Sequence, residues 1–253
     1  MLYFAKSRKN KSIPEIKARY MKIIRKVKLF LTQTPHIRLA LFYPAFVIVF
    51  FALEAYIPSV ENCWIVHTPL DDAIPFLEVF VMPYILWYPF LAATPIALLA
   101  VRDSEGFKKH LYFMMLGFGA ALIFCFIVPN AQLMRPAEMP RDNFFTKIIA
   151  RLYEADTPTN VFPSMHVIGS VAGAAACLHS PALKKLRPAW VIIAVLISAS
   201  TVFIKQHSIL DVFGAIAVCA PIWIWLYAKR ERKTLNEGKK GDAPATEGND
   251  KEE

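Results

Sequence analysis

Three side chains able to attack phosphorus or move a proton stand at the ends of apolar runs in this sequence. They are His166, in VFPSMHV, and His207 and Asp211, in STVFIKQHSILDVFG. His207 and Asp211 are four residues apart, which on a helix places them on one face, a turn from each other. A carboxylate in that position accepts the proton of one imidazole nitrogen, fixes the tautomer, and leaves the other nitrogen as a nucleophile or base. A second histidine on another helix can serve as general acid, because its ordinary pKa lies near ambient pH. Arg135 and Lys205 offer positive charge to a multiply charged oxyanion. Ser164, beside Pro163 at a helix start, adds a hydroxyl and backbone N–H groups suited to an anion. A nucleophile, an acid, an orienting carboxylate and an anion cradle together fit phosphoryl transfer.

The elements that must position these groups are apolar helices. The 253 residues are 56% hydrophobic and 19% charged, with mean hydropathy +0.38, where a soluble domain carries about 45–50% apolar and about 25% charged residues. The composition excludes a soluble cytosolic enzyme and a disordered protein. Four cysteines without a CxxC spacing exclude a disulfide scaffold and a zinc cluster. Hydropathy predicts an all-α polytopic membrane protein with six spans, at 39–58, 79–101, 111–129, 164–180, 188–204 and 208–228. The fourth, SMHVIGSVAGAAACLHS, is short and rich in Gly, Ala and Ser, so close backbone approach places it centrally in the bundle.

Charge sets the topology. With both termini inside, 24 of the 29 Lys/Arg fall on the inner side; only Arg135, Arg141, Lys147, Arg151 and Lys205 fall outside. This predicts cytoplasmic termini and a site at the extracytoplasmic face. The net charge of +9 is concentrated in the two tails that flank apolar runs, which fits topology and anionic lipid and excludes nucleic acid as the partner. Residues 1–38 read as a basic cytoplasmic segment, in which 15–31 have the pattern of an interfacial amphipathic helix. Residues 39–228 read as the catalytic membrane domain, and 229–253 as a disordered cytoplasmic tail. The outer segment 59–78 has no Lys/Arg but holds Glu61, Asp71, Asp72 and Glu78. The long outer loop 130–163 is expected to carry a short helix that caps the site. His36, His67, His110 and His179 read as interfacial histidines, and Ser200 is equally suited to bonding a backbone carbonyl.

FPSMH, followed by Ser200, His207 and Asp211 in the spacing S-x6-H-x3-D, resembles the second and third motifs of the type 2 phosphatidic acid phosphatase superfamily. The resemblance spans roughly residues 75–228. It implies a six-helix membrane bundle with no metal or other cofactor. It also implies that His207 attacks phosphorus, held by Asp211, while His166 protonates the leaving alkoxide and then activates water. Of the candidate phosphate-binding residues Arg135, Ser164 and Lys205, Arg135 falls in the Arg-Pro pair of the family's first motif, and Lys205 stands in for a cation the family pattern has and this sequence lacks. The sequence departs from the family pattern at three positions. Val128 stands where the first motif has lysine, seven residues before Arg135-Pro136; Thr201 stands where the third motif has arginine; and Met165 replaces a common glycine. PNAQLMRPAEMP and KQHSILD look closer to the branch that includes inositol phosphorylceramide synthases, which transfer a phospho-headgroup to a lipid alcohol. Hydrolysis of a lipid phosphate and transfer to a lipid or sugar alcohol are both compatible with these residues. A different class, a bis-histidine haem or non-haem iron membrane protein, would use the two histidines as ligands; it leaves the Pro-Ser pair and the outer cations without a role.

Overall fold

The structure is a computed structural model that describes residues 34–57 and 59–228, together with residues 21, 22, 24 and 25. The four isolated residues are helical; the rest of the amphipathic stretch 15–31, and the tail 229–253, lie outside the described residues. The chain divides into two units, Met1–Leu41 and Phe42–Glu253. In the first, Pro35–Leu41 forms a 3-10 helix.

The second unit is helical apart from a two-residue strand pair. Its helices are α1 (Phe42–Tyr56), α2 (Pro69–Ala73), α3 (Val81–Ala100), α4 (Ser104–Ile127), α5 (Phe144–Ala155), α6 (Met165–His179), α7 (Arg187–Phe203) and α8 (Ile209–Trp223). A π-helical turn, Ile224–Ala228, continues α8 just beyond Pro221. The strands β1 (Trp64–Ile65) and β2 (Asn130–Ala131) pair in parallel and fasten the segment after α1 to the segment after α4. Five helical stretches are long and apolar enough to cross a membrane: Pro35–Tyr56, Glu78–Ala100, Ser104–Ile127, Pro181–Phe203 and Ile209–Ala228. The expected fourth span is the exception to the six-span count. At 15 residues, α6 is about 22 Å long, short of the roughly 30 Å hydrocarbon core.

The short helix is nevertheless central, as its small residues imply. Helix α6 packs against α3, α4, α7 and α8, and ten of its 15 residues are buried. At Gly173, an added Cβ would lie 2.6 Å from Cε1 of Phe90 on α3. Only the bare backbone allows the two helices to approach so closely. Around α6 the core is aromatic and aliphatic, with Trp87, Phe90, Phe113, Phe118, Ile168 and Ile197 buried.

Helix starts follow local capping chemistry. Asp103 accepts from the Gly106 N–H at the start of α4, and Asn143 forms a capping box with Thr146 at α5. Helix α5 is the short helix expected in the outer loop, with Ile149 buried against Val81, Tyr84 and Ile204. His110 is a correction to the interfacial reading. It is fully buried, its ring pairing with the Ala172 carbonyl at 3.4 Å and the Tyr43 hydroxyl at 3.4 Å. Buried polar groups are generally hydrogen-bonded, and here both ring nitrogens have a partner.

Candidate active site

The third motif is built by the turn between α7 and α8. Helix α7 ends at Phe203, and the backbone then reverses through Lys205, whose φ of 55° lies in the left-handed region. The carbonyl of Thr201 accepts the N–H groups of both Gln206, at 2.9 Å, and His207, at 3.0 Å. Ser208 caps α8, its Oγ accepting from the Leu210 N–H at 3.1 Å. The cap fixes the first turn of α8 and thereby the spacing of His207 and Asp211.

His207 Nδ1 lies 2.9 Å from Asp211 Oδ2, and both residues are buried. The carboxylate can only accept, so Nδ1 carries the proton and Nε2 is left with its lone pair. The Ser208 N–H donates to the same Oδ2 at 3.0 Å, while Asp211 Oδ1 has no partner among the described residues. This is the orienting arrangement expected from the four-residue spacing.

The second motif arrives from the other side. Ser164 caps α6, accepting from the Val167 N–H at 3.4 Å, and its own N–H donates to the carbonyl of Asp211 at 3.2 Å. Asn130 fixes the approach, accepting the Phe162 N–H at 2.8 Å. The Phe162–Pro163 peptide is cis, and the Phe162 ring packs on α8 at Gly214. There an added Cβ would stand 2.4 Å from the ring. Gly214→Ala must therefore push Phe162 outward and drag the His166 helix start with it. The expected cost is about 1–3 kcal/mol, read as earlier thermal unfolding in detergent together with reduced activity.

His166 is brought beside His207, their ring centroids 5.6 Å apart at an interplanar angle of 61°. Two aromatic rings of α3 hold it: Tyr84 stacks at 4.4 Å and Trp87 packs at 4.1 Å. Its Nε2 is buried and has no hydrogen-bond partner among the described residues. A buried ring nitrogen without a partner is rare enough to need an explanation, and a bound reactant supplies one.

The expected phosphate ligands are placed differently from one another. Ser164 caps α6 two residues before His166, and its N–H donates to the Asp211 carbonyl. The four Nη hydrogens of Arg135 are directed to the carbonyls of Tyr153, Asp156 and Thr157 and to Oε1 of Gln206, the last at 2.6 Å. Its guanidinium lies 4.7 Å from the Tyr153 ring, and Nε has no partner among the described residues. Arg135 thus ties the outer loop to the residue next to His207. Lys205 Nζ donates to the carbonyls of Asp71 and Ile74, each at 2.6 Å, so two of its three protons are engaged by a neighbouring loop. Ser200 and Thr201 turn their hydroxyls back onto Ile197 and Ser198 carbonyls of α7.

Several contributors carried a weaker sequence signal. Glu54, a carboxylate inside the first apolar run, accepts from the Thr157 hydroxyl and from Asn160 Nδ2, holding the loop that surrounds Arg135. Ionisable residues in apolar spans usually have such a role. Asp71 and Gln206 are read only from their contacts. Tyr84 and Trp87 stand in an aromatic-rich apolar span, where nothing local distinguishes them from packing residues. Beside the site, α6, α7 and α8 line an open apolar cavity of about 600 Å³, to which Ile74, Phe203 and Ile209 also contribute. Among the described residues no group of three or more His, Cys, Asp or Glu is placed to hold a metal ion.

Residues 111–235 match the model of the PAP2 superfamily, the superfamily whose motifs the sequence resembles. Searches of curated proteins and of solved structures find no match.

Proposed function

We propose that this membrane chain, a PAP2 superfamily match over residues 111–235, is an integral membrane lipid phosphate phosphatase with a phosphohistidine intermediate on His207. The observation that carries the reading is the meeting of two motif histidines, His166 in the first turn of α6 and His207 in the turn before α8. One is oriented by a buried carboxylate; the other bears a buried nitrogen without a partner among the described residues.

In the first step Nε2 of His207 attacks phosphorus in line, forming an N–P bond as the bond to the lipid oxygen breaks. His166 passes its proton to that leaving alkoxide. In the second step His166 takes a proton from water as the water oxygen attacks phosphorus. The N–P bond then breaks, and inorganic phosphate and free His207 are returned. Asp211 stabilises the positive charge that develops on the His207 ring.

Two helix N-termini meet here, and they are not equivalent. That of α8 is filled by protein carboxylates, since Ile209 N–H donates to Asp71 and Ser208 N–H to Asp211. The start of α6, beginning at Ser164, is the favourable place for phosphate oxygens. Arg135 contributes charge from behind the loop. Lys205, which serves two carbonyls with two of its three ammonium protons, adds positive charge from the turn beside His207. The apolar cavity between α6, α7 and α8 favours a lipid over a soluble phosphate ester. By the charge distribution, the site lies on the extracytoplasmic side, with both termini cytoplasmic and α6 as the short sixth membrane helix.

Transfer to an alcohol is the second reading, favoured by the burial of His207 and by the aromatic pair Tyr84 and Trp87 beside it, which limit water. The test is phosphate release by detergent-purified protein from a panel of lipid phosphates, with EDTA present, in parallel with labelled lipid and candidate alcohols. Metal-independent release of inorganic phosphate is expected. Label moving to an alcohol without free phosphate would replace hydrolysis by transfer, and neither product from folded protein would overturn both.

A further inference from the structure

The outer segment between α1 and α3 lies beyond the stretch that matches the superfamily, yet it is fastened to the turn that carries His207 at three points. The Leu77 N–H donates to the Phe203 carbonyl at 3.0 Å. Lys205 Nζ reaches the carbonyls of Asp71 and Ile74. The third fastening is the buried carboxylate of Asp71, which accepts from Ser208 Oγ at 2.6 Å and from the Ile209 N–H at 2.8 Å. On its own side, Asp71 accepts the Thr68 N–H and hydroxyl at 2.8 and 3.0 Å, closing the capping box of α2.

We infer that Asp71 is a positioning residue for the catalytic pair, acting through Ser208 on Asp211 and so on the His207 ring. The connection is short. Ser208 is held between two carboxylates, its hydroxyl donating to Asp71 and its N–H to Asp211 Oδ2. That Oδ2 takes only two hydrogen bonds among the described residues, from Ser208 and from His207 Nδ1, and Oδ1 takes none. Nothing else among the described residues bonds the Asp211 side chain, so its rotamer follows Ser208, and Ser208 follows Asp71. The Asp71 charge also fills the electropositive start of α8, where such a carboxylate is favourable. Burial opposes its ionisation, but the bonds from Ser208, Ile209 and Thr68 outweigh this and hold the carboxyl below its ordinary value. It is therefore an anion throughout the neutral range. The charged or titratable groups around it are Lys205, the His67–Asp72 pair, and Asp211 with His207.

The test is ¹⁵N NMR of histidine-labelled protein in detergent, with the His207 ring assigned by its loss in His207→Gln. Wild type, Asp71→Asn and Asp71→Ala are compared across pH. In wild type, His207 is the Nδ1–H tautomer. In Asp71→Ala the tautomer is expected to become mixed. Asp71→Asn keeps one accepting oxygen and is expected to fall between the two, which also guards against a variant that fails to fold. An unchanged His207 ring in both folded variants overturns the inference. Kinetics on the same samples rest on the phosphatase reading: kcat is expected to fall about tenfold or more in Asp71→Ala, with KM within about twofold. A rise in KM at constant kcat would contradict a positioning role. A shifted ring in a protein whose wild type releases no phosphate would leave Asp71's role standing and remove the phosphatase reading.

Discussion

His207→Ala is expected to lower phosphate release by about four orders of magnitude or more, the scale seen when a covalent nucleophile is removed. Among the described residues no other group is placed to take its part. The imidazole beside it, His166, is wedged between Tyr84 and Trp87, and no carboxylate among the described residues orients it. The alanine variant also strips Asp211 of its ring partner, leaving a buried carboxylate bonded only by the Ser208 N–H among the described residues. Breaking a buried pair in this way costs about 3–5 kcal/mol, so loss of activity must be separated from loss of fold. His207→Gln does this, because its amide can donate to a carboxylate but cannot form a stable phosphoryl adduct. Both variants are expected to be inactive, with thermal unfolding closer to wild type in the glutamine form. Release above about one hundredth of wild type from either would argue that water attacks phosphorus directly.

His166→Asn carries the second large effect, about 10²- to 10³-fold on lipid substrates, in the range of general acid–base catalysis. Its diagnostic feature is dependence on the leaving group. A lipid alkoxide is a poor leaving group and needs the proton, whereas a nitrophenolate leaves without one. With a nitrophenyl phosphate ester the first step is expected to survive and the second, which needs a base for water, to fail. The expected record is a burst of about one equivalent of nitrophenol followed by a slow steady rate. Equal losses on both substrates, without a burst, would mean that His166 holds the site open and moves no proton.

The clearest sequence signals were those in which charge or polarity had to be bought at a cost inside apolar surroundings. His166, His207 and Asp211 stood out because ionisable residues are expensive there, and the i, i+4 spacing already implied their hydrogen bond. The Gly, Ala and Ser content of 164–180 implies a central helix, and the shortness of the run is seen again in the 15 residues of α6. Cations were harder to read. Arg135 and Lys205 were legible as outer positive charges, but charge alone does not say whether an N–H meets a phosphate or a carbonyl. That is settled by loops that carry no periodicity. Asp71 was visible as an acidic residue in a segment without Lys/Arg, while its contact with Ser208, 137 residues away, has no local signature. Glu54 had the signal of a carboxylate in an apolar run; only the three-dimensional path of residues 157–160 assigns its partners.

The most direct measurement is a rapid acid-free quench of wild-type protein turning over a ³²P-labelled lipid phosphate, followed by peptide mapping. The expected result is one phosphoryl group per chain, stable in base and lost in acid, on the peptide that contains His207, and absent from His207→Gln. Label that never becomes protein-bound during rapid turnover, or that resides on another residue, would contradict a phosphohistidine at His207.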